Sequence, residues 1–212
     1  VPVEEPPDSG STGPAPDRTG PRRKRSLLIG VAIAAVLAVV LFVGLQPTAT
    51  TSTGQPAAVG VGSIAPDFTL PNLLSTPASP LPPVHLDALG RDRHRPVVLN
   101  FFASWCIPCR AETPLLASTA RSLRAQGSPV QFVGVDVADQ ASAAIPFVEQ
   151  AGIDYPVGAD TTLRVTSVLY GLNGQPNTFF INESGVVIGH HLGALTQAEL
   201  TGWLHRLAGA AG

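Results

Sequence analysis

Cys106 and Cys109 are the only cysteines in the 212-residue chain, and they stand two residues apart in NFFASWCIPCRAETP, residues 100–114. Two thiols at this spacing can contribute to a metal site, close a short structural disulfide, or exchange electrons with another thiol pair. Zinc needs four ligands, typically with a second Cys or His pair at a fixed spacing. The histidines do not supply one. His85, His94 and His205 are scattered, and His190 and His191 are neighbours in a strand pattern that sends them to opposite faces. No metal is expected, and the histidines read as surface residues without a role. A structural disulfide closing so short a loop contributes little through chain entropy. Electron exchange is the chemistry that fits best.

The flanking residues must hold the thiols. PVVLNFF (96–102) is an apolar, β-branched and aromatic run that reads as a buried strand, and RAETPLLASTARSLRA after it reads as a helix. Cys106 therefore falls at the strand-to-helix turn and Cys109 within the first helical turn. A helix N-terminus presents unpaired N–H groups and the positive end of the macrodipole, which stabilise a thiolate. Glu112 follows Cys109 at i,i+3, on the same helical face. It is either a partner of that thiol or a solvated residue complementing the helix dipole. Pro114 is expected to kink the helix.

The rest of the domain alternates strand and helix patterns. VQFVGVDV (130–137) and NTFFIN (177–182) read as strands, and NESG (182–185) turns the latter into VVIGHHL (186–192) as a hairpin. Helices are expected over Gln140–Ala151 and Thr161–Tyr170, and from Thr196, where TQAE forms a capping box with Glu199. This alternation implies an α/β layered sheet. APDFTLPNL and PPVHLDAL, separated by a Pro-rich loop, read as an added N-terminal β-hairpin. Pro176, taken alone, is an ordinary trans proline opening a strand.

The chain ahead of this domain is of a different character. Arg22, Arg23, Lys24 and Arg25 form a basic block within a Pro-, Gly- and Ser-rich segment, 1–26, that reads as a disordered cytoplasmic tail. LLIGVAIAAVLAVVLFVGL, residues 27–45, is nineteen residues without a charge, Ser or Thr. As a helix it would be ~28 Å long, about one hydrocarbon core. A cleaved signal peptide is the competing reading, but its apolar region is usually shorter and ends in an A-x-A-like site, which LQPTATTS does not offer. A transmembrane signal-anchor is therefore expected, with the basic side in the cytoplasm and everything beyond it across the cell membrane. Residues 46–62 read as a flexible linker, and 63–209 as the working domain. The net charge is −2, and from Ser63 onward eight Arg face eleven Asp plus Glu. A nucleic-acid partner is not expected.

VGSIAPDFTLPNL, RPVVLNFFASWCIPCRAETP, FVGVDV, GLNGQPNTFFINESGVV and GALTQAEL, taken in order, resemble the membrane-anchored thioredoxin-like proteins of the TlpA, ResA and CcmG (DsbE) type. The opening APDFTL is shared with peroxide-reducing thiol enzymes. Those need Thr or Ser three residues before the reactive cysteine, where this chain has Ala103. The resemblance implies a thioredoxin fold carrying the added hairpin, and thiol–disulfide exchange outside the cytoplasm without a metal or organic cofactor. It implies that Cys106 attacks, that Cys109 resolves, that Pro176 is a cis-proline facing them, and that Trp105 covers and packs the site. Gln175 departs from the Thr or Val common before that proline. Asn100 stands where cytoplasmic thioredoxins carry a buried Asp, and Glu112 is the acid that serves the thiols instead. The implied partners are protein dithiols or disulfides, such as apocytochrome c or its carrier, and a membrane thiol electron donor. A tethered dithiol in an oxidising compartment is most useful when kept reduced, which favours a reductant. The alternatives are a disulfide oxidase for secreted proteins and a redox-inert binding module.

Overall fold

Strand β3, Val97–Phe102, is buried along its whole length, which requires a central position in a sheet covered on both faces. The computed structural model describes residues 59–209 and the pair Ala34 and Ala35. The basic block, the expected membrane segment apart from that pair, and most of the expected linker lie outside the described residues. Among the described residues no helix is long and apolar enough to cross a membrane.

Two short strands, β1 (Thr69–Leu70) and β2 (Val84–His85), pair antiparallel as the expected hairpin, and β2 runs directly into a one-turn helix, α1 (Leu86–Leu89). After β3 come helix α2 (Ile107–Ala125), β4 (Gln131–Val137), α3 (Ala141–Ala151), β5 (Val157–Asp160), β6 (Asn177–Ile181), β7 (Val187–Leu192) and α4 (Gln197–Gly209). The main sheet has the order β5-β4-β3-β6-β7. β3 lies parallel to β4 and antiparallel to β6, β4 lies parallel to β5, and β6 and β7 form the hairpin turned by residues 182–185.

Alternation along the strands divides the core in two. Val98, Phe102, Phe132 and Phe180 face α2, α3 and α4, packing on Leu116, Phe147, Leu200 and Leu207. Leu99, Phe101, Val135 and Phe179 face the other way, onto Phe68, Leu70, Val84, Val165 and Tyr170. The packed chain reaches back to Val59, ahead of the expected boundary at Ser63, because Val59 joins this second cluster.

One expectation needs correction. Helix over Thr161–Tyr170 is replaced by a π-helical segment, Arg164–Leu169. Leu163 is left-handed at φ 59°, and the Asp160 carboxylate takes both the Thr166 N–H (2.8 Å) and its hydroxyl (2.7 Å). The chain from Thr161 is thereby committed to a turn. β5 is the strand that the sequence pattern did not suggest. Pro114 lies inside α2, which runs on past it to Ala125.

Helix α4 opens with the capping box: Thr196 N–H donates to Glu199 Oε2 at 2.8 Å, and Glu199 N–H donates back to Thr196 Oγ1 at 3.3 Å. It docks through Trp203, whose indole stacks on Phe180 with centroids 4.8 Å apart. Gly189 on β7 leaves the space for that indole, and a Cβ there would collide with the ring. Gly189→Ala should therefore lower stability by about 1–3 kcal/mol, read as a lower midpoint in denaturant. An unchanged midpoint would show that the indole can leave Phe180 without cost.

Candidate active site

At the end of β3 the chain turns through Ala103–Trp105 into α2, with Cys106 as the N-cap residue in an extended conformation. Cys106 and Cys109 are joined as a disulfide, with Cα atoms 5.2 Å apart. Cys109 N–H points at Cys106 Sγ at 3.2 Å. A negative sulfur formed there on reduction would meet this N–H and the positive end of a 19-residue helix. Cys106 keeps slight exposure and Cys109 has none, so an incoming group meets Cys106 first.

Ser104 fixes the turn through its backbone. Its N–H donates to Asp139 Oδ2 at 2.6 Å, and its carbonyl accepts from Arg110 Nη1 at 3.2 Å. Trp105 is 58% exposed and Ile107 81%. Trp105 therefore flanks the disulfide as an apolar surface; the expected packing role is not seen, because its ring has little core to enter.

The Gln175–Pro176 peptide is cis. β6 starts directly after it, and the antiparallel register pairs Phe101 with Asn177. Pro176 thus lies one position beyond, level with Phe102, at the sheet end where β3 releases the chain towards Cys106. Asn177 closes the loop by donating from Nδ2 to Gly174 O at 2.6 Å, and its Oδ1 accepts from His190 Nε2 at 2.6 Å. His190 stacks on Phe179 at 4.1 Å between centroids. The expectation that the histidines are surface residues without a role fails for His190, which is half-buried; burial lowers its basicity, and neighbouring His191 adds to this.

Glu112 is the largest departure from a solvated helix. It is 2% exposed. Asn100 Nδ2 donates to its Oε1 at 3.0 Å, and the Leu195 N–H donates to its Oε2 at 2.8 Å. Asn100 Nδ2 also lies 2.9 Å from Thr178 Oγ1 on β6. Desolvation raises the carboxyl pKa above the ordinary Glu range, against smaller lowering contributions from the Leu195 and Asn100 hydrogen bonds and from His191. This acid, one turn from Cys109, is held by the sheet and by the loop after β7. The sequence placed Asn100 and Glu112 together but offered no sign of Leu195, Thr178 or Asp139. The acids spaced i,i+3 in VDVAD were the available clue to the last.

The AhpC/TSA family profile matches residues 61–190. The chain belongs to the AhpC/TSA family. The ResA thiol-disulfide oxidoreductase of Bacillus subtilis (strain 168) is 32% identical over 109 residues, 51% of this chain and 59% of that protein, so the match spans under two thirds of that relative. The DsbE thiol:disulfide interchange protein of Xylella fastidiosa (strain Temecula1 / ATCC 700964) is 32% identical over 171 residues, 81% of this chain and 80% of its own. A crystal structure of a DsbE-type protein from Chlorobium tepidum superposes with a TM-score of 0.58 at 29% identity, covering 73% of this chain and 99% of the other. This AhpC/TSA member has a thioredoxin-like α/β fold and is a thiol–disulfide oxidoreductase. The hydroxyl that a peroxide-reducing site needs three residues ahead of its thiol is replaced by buried Ala103.

Both Glu112 oxygens receive N–H donors, whereas Gln offers one acceptor. Glu112→Gln should leave a buried donor unpaired and cost about 1–3 kcal/mol near pH 5, measured by urea unfolding. Because the folded pKa is raised, the stability from the wild-type carboxyl is full below the unfolded value of about 4.3 and is lost as pH rises through the folded one. Part of that decline should vanish in the variant. Parallel pH–stability curves would mean that Glu112 titrates alike in both states.

Proposed function

We propose that the chain is a membrane-tethered reductase acting outside the cytoplasm, with the cysteine pair of apocytochrome c, or of its carrier, as the disulfide it reduces. The observation that carries this reading is the placement of a Cys-x-x-Cys pair at a helix N-terminus, at the same sheet end as a cis-proline. The apolar segment at residues 27–45 supports the tether, and the basic block before it supports the orientation. The resemblance to the ResA and DsbE type supports the place in haem attachment.

In the reduced protein, the Cys106 thiolate attacks one sulfur of the substrate disulfide and expels the other as a thiolate. Cys109 then gives up its proton and attacks Cys106 Sγ. The second substrate thiolate leaves and the Cys106–Cys109 disulfide closes, so two electrons have passed to the substrate. Glu112 is the acid placed to accept the Cys109 proton, since Asn100 cannot take one. An extended substrate segment pairs with backbone beside Gln175 and Pro176, while Trp105 offers it an apolar face. A membrane thiol donor returns the pair to the reduced state.

Cys109→Ser should accumulate mixed disulfides with partner proteins, seen as reductant-sensitive bands of higher mass, and Cys106→Ser should not. The opposite pattern would reverse the order of attack. In intact cells the two thiols should be mainly reduced, with Cys106 open to a membrane-impermeant alkylating reagent, and deletion of the gene should remove c-type cytochromes. Mostly oxidised protein, with intact c-type cytochromes and misfolded secreted disulfide proteins on deletion, would instead assign an oxidase.

A further inference from the structure

Behind the Ser104–Cys106 turn lies a second carboxyl that the exchange chemistry does not use. Asp136 is near the end of β4, paired in register with Phe102 of β3 and Ala159 of β5. It is 2% exposed. Alternation along β4 sends it to the same face as Phe132, towards α2 and α3. Its Oδ1 has no hydrogen-bond partner, which is costly for a carboxylate and far less so for a neutral acid.

The neighbour it does have is Asp139. Asp139 follows three residues on, and its charge and hydrogen bonding raise the Asp136 carboxyl, as two acids with one proton between them do. Asp139 also accepts from Ser104 N–H at 2.6 Å and from Gln140 N–H at 2.8 Å. Asp136 is buried with an unpartnered oxygen, so the proton rests on Asp136. Ala138, between them, is left-handed at φ 47°, a conformation costing an alanine about 1–2 kcal/mol. That bend turns Asp139 back towards Ser104. Strain of this kind persists where the surroundings enforce it, often at functional sites.

Among the described residues no other group nearby stands in for that proton. On α2, Arg110 is engaged with the Ser104 carbonyl. The buried residues of α3 are Ala144, Phe147 and Val148, and its Glu149 is exposed. On β5, Asp160 pairs with Val137 and so points to the opposite face, where Thr166 occupies it.

We propose that Asp136 is a positioning residue: the single proton shared by Asp136 and Asp139 keeps the Asp139 carboxylate on the Ser104 N–H, and its release loosens the turn that carries Cys106. This rests on the reading of Cys106 as the attacking thiol. Desolvation and the Asp139 charge raise the Asp136 carboxyl to about 7, so release falls within the working range of a neutral compartment. The turn is clamped below that pH and freed above it.

The test begins with the oxidised protein, in which no thiol titrates. Infrared difference spectra across about pH 5 to 9 should show a protonated-carboxyl band that disappears near neutrality. The band should be lost in Asp136→Asn, retained in Glu112→Gln, and shifted to lower pH in Asp139→Asn, where the repelling charge is gone. In the reduced protein, the pH profile of Cys106 alkylation should contain a component near neutrality that is absent from Asp136→Asn, because the amide keeps the clamp closed throughout. An Asp136→Asn band equal to that of wild type, no band in the wild type, or superimposable alkylation profiles would overturn the proposal. The infrared result does not depend on which cysteine attacks. A failure of the trapping experiment with an intact Asp136 band would therefore overturn the order of attack and leave the carboxyl pair standing.

Discussion

A carboxylate placed inside a protein must be given donors, and the need to satisfy Glu112 organises much of this domain. Its two oxygens take N–H groups from Asn100 on the central strand and Leu195 in the loop leading to the last helix. Helix α2, strand β3 and the segment after β7 are thus tied at one point, within a turn of Cys109. If any of the three moved, a polar group would be left unpaired in a low-dielectric interior, at a cost comparable to a sizeable part of a domain's net stability. The same donors that hold the acid oppose, in part, the burial that raises its pKa.

The sheet then sets where everything converges. β3 runs parallel to β4 and antiparallel to β6, so the end of β3, the end of β4 and the start of β6 all lie at one edge of the layer. Cys106 follows from the first, Asp139 from the second and Pro176 precedes the third. No loop has to travel far to bring nucleophile, clamp and substrate-facing proline together. The opposite face is closed by the hairpin, the π-helical segment and the aromatic group of Phe101, Tyr170 and Phe179. Its packing keeps the central strands dry.

Much of this was readable in advance where a signal is local. The apolar runs of β3, β4 and β6 and the turn at 182–185 announced themselves, as did the Thr196–Glu199 box and the position of Cys106 at a helix start. β5 did not, because Val157–Asp160 is four residues with two small ones and no alternation to detect. The segment after it carried a helical period, yet the Asp160 side chain captured the Thr166 backbone and imposed a different turn. The partners of the site were hidden for another reason. Leu195 lies 83 residues from Glu112 and Asp139 lies 35 from Ser104, and both contacts use a backbone N–H, which every residue but proline possesses. Composition cannot mark such a donor. The cis state of Pro176 was likewise legible only by likeness to other proteins, since the residues around it permit either isomer.

The burial of β3 on both faces bears on how this protein would lose its activity. Amides in a strand flanked on each side and covered above and below exchange with water only when the whole domain opens. The residues that aim Cys106 are continuous with that strand, so opening of the hairpin alone does not release them first. Heat or denaturant should therefore leave each molecule either fully competent or unfolded, and a population losing function would do so by fewer active copies, each still working at its native rate.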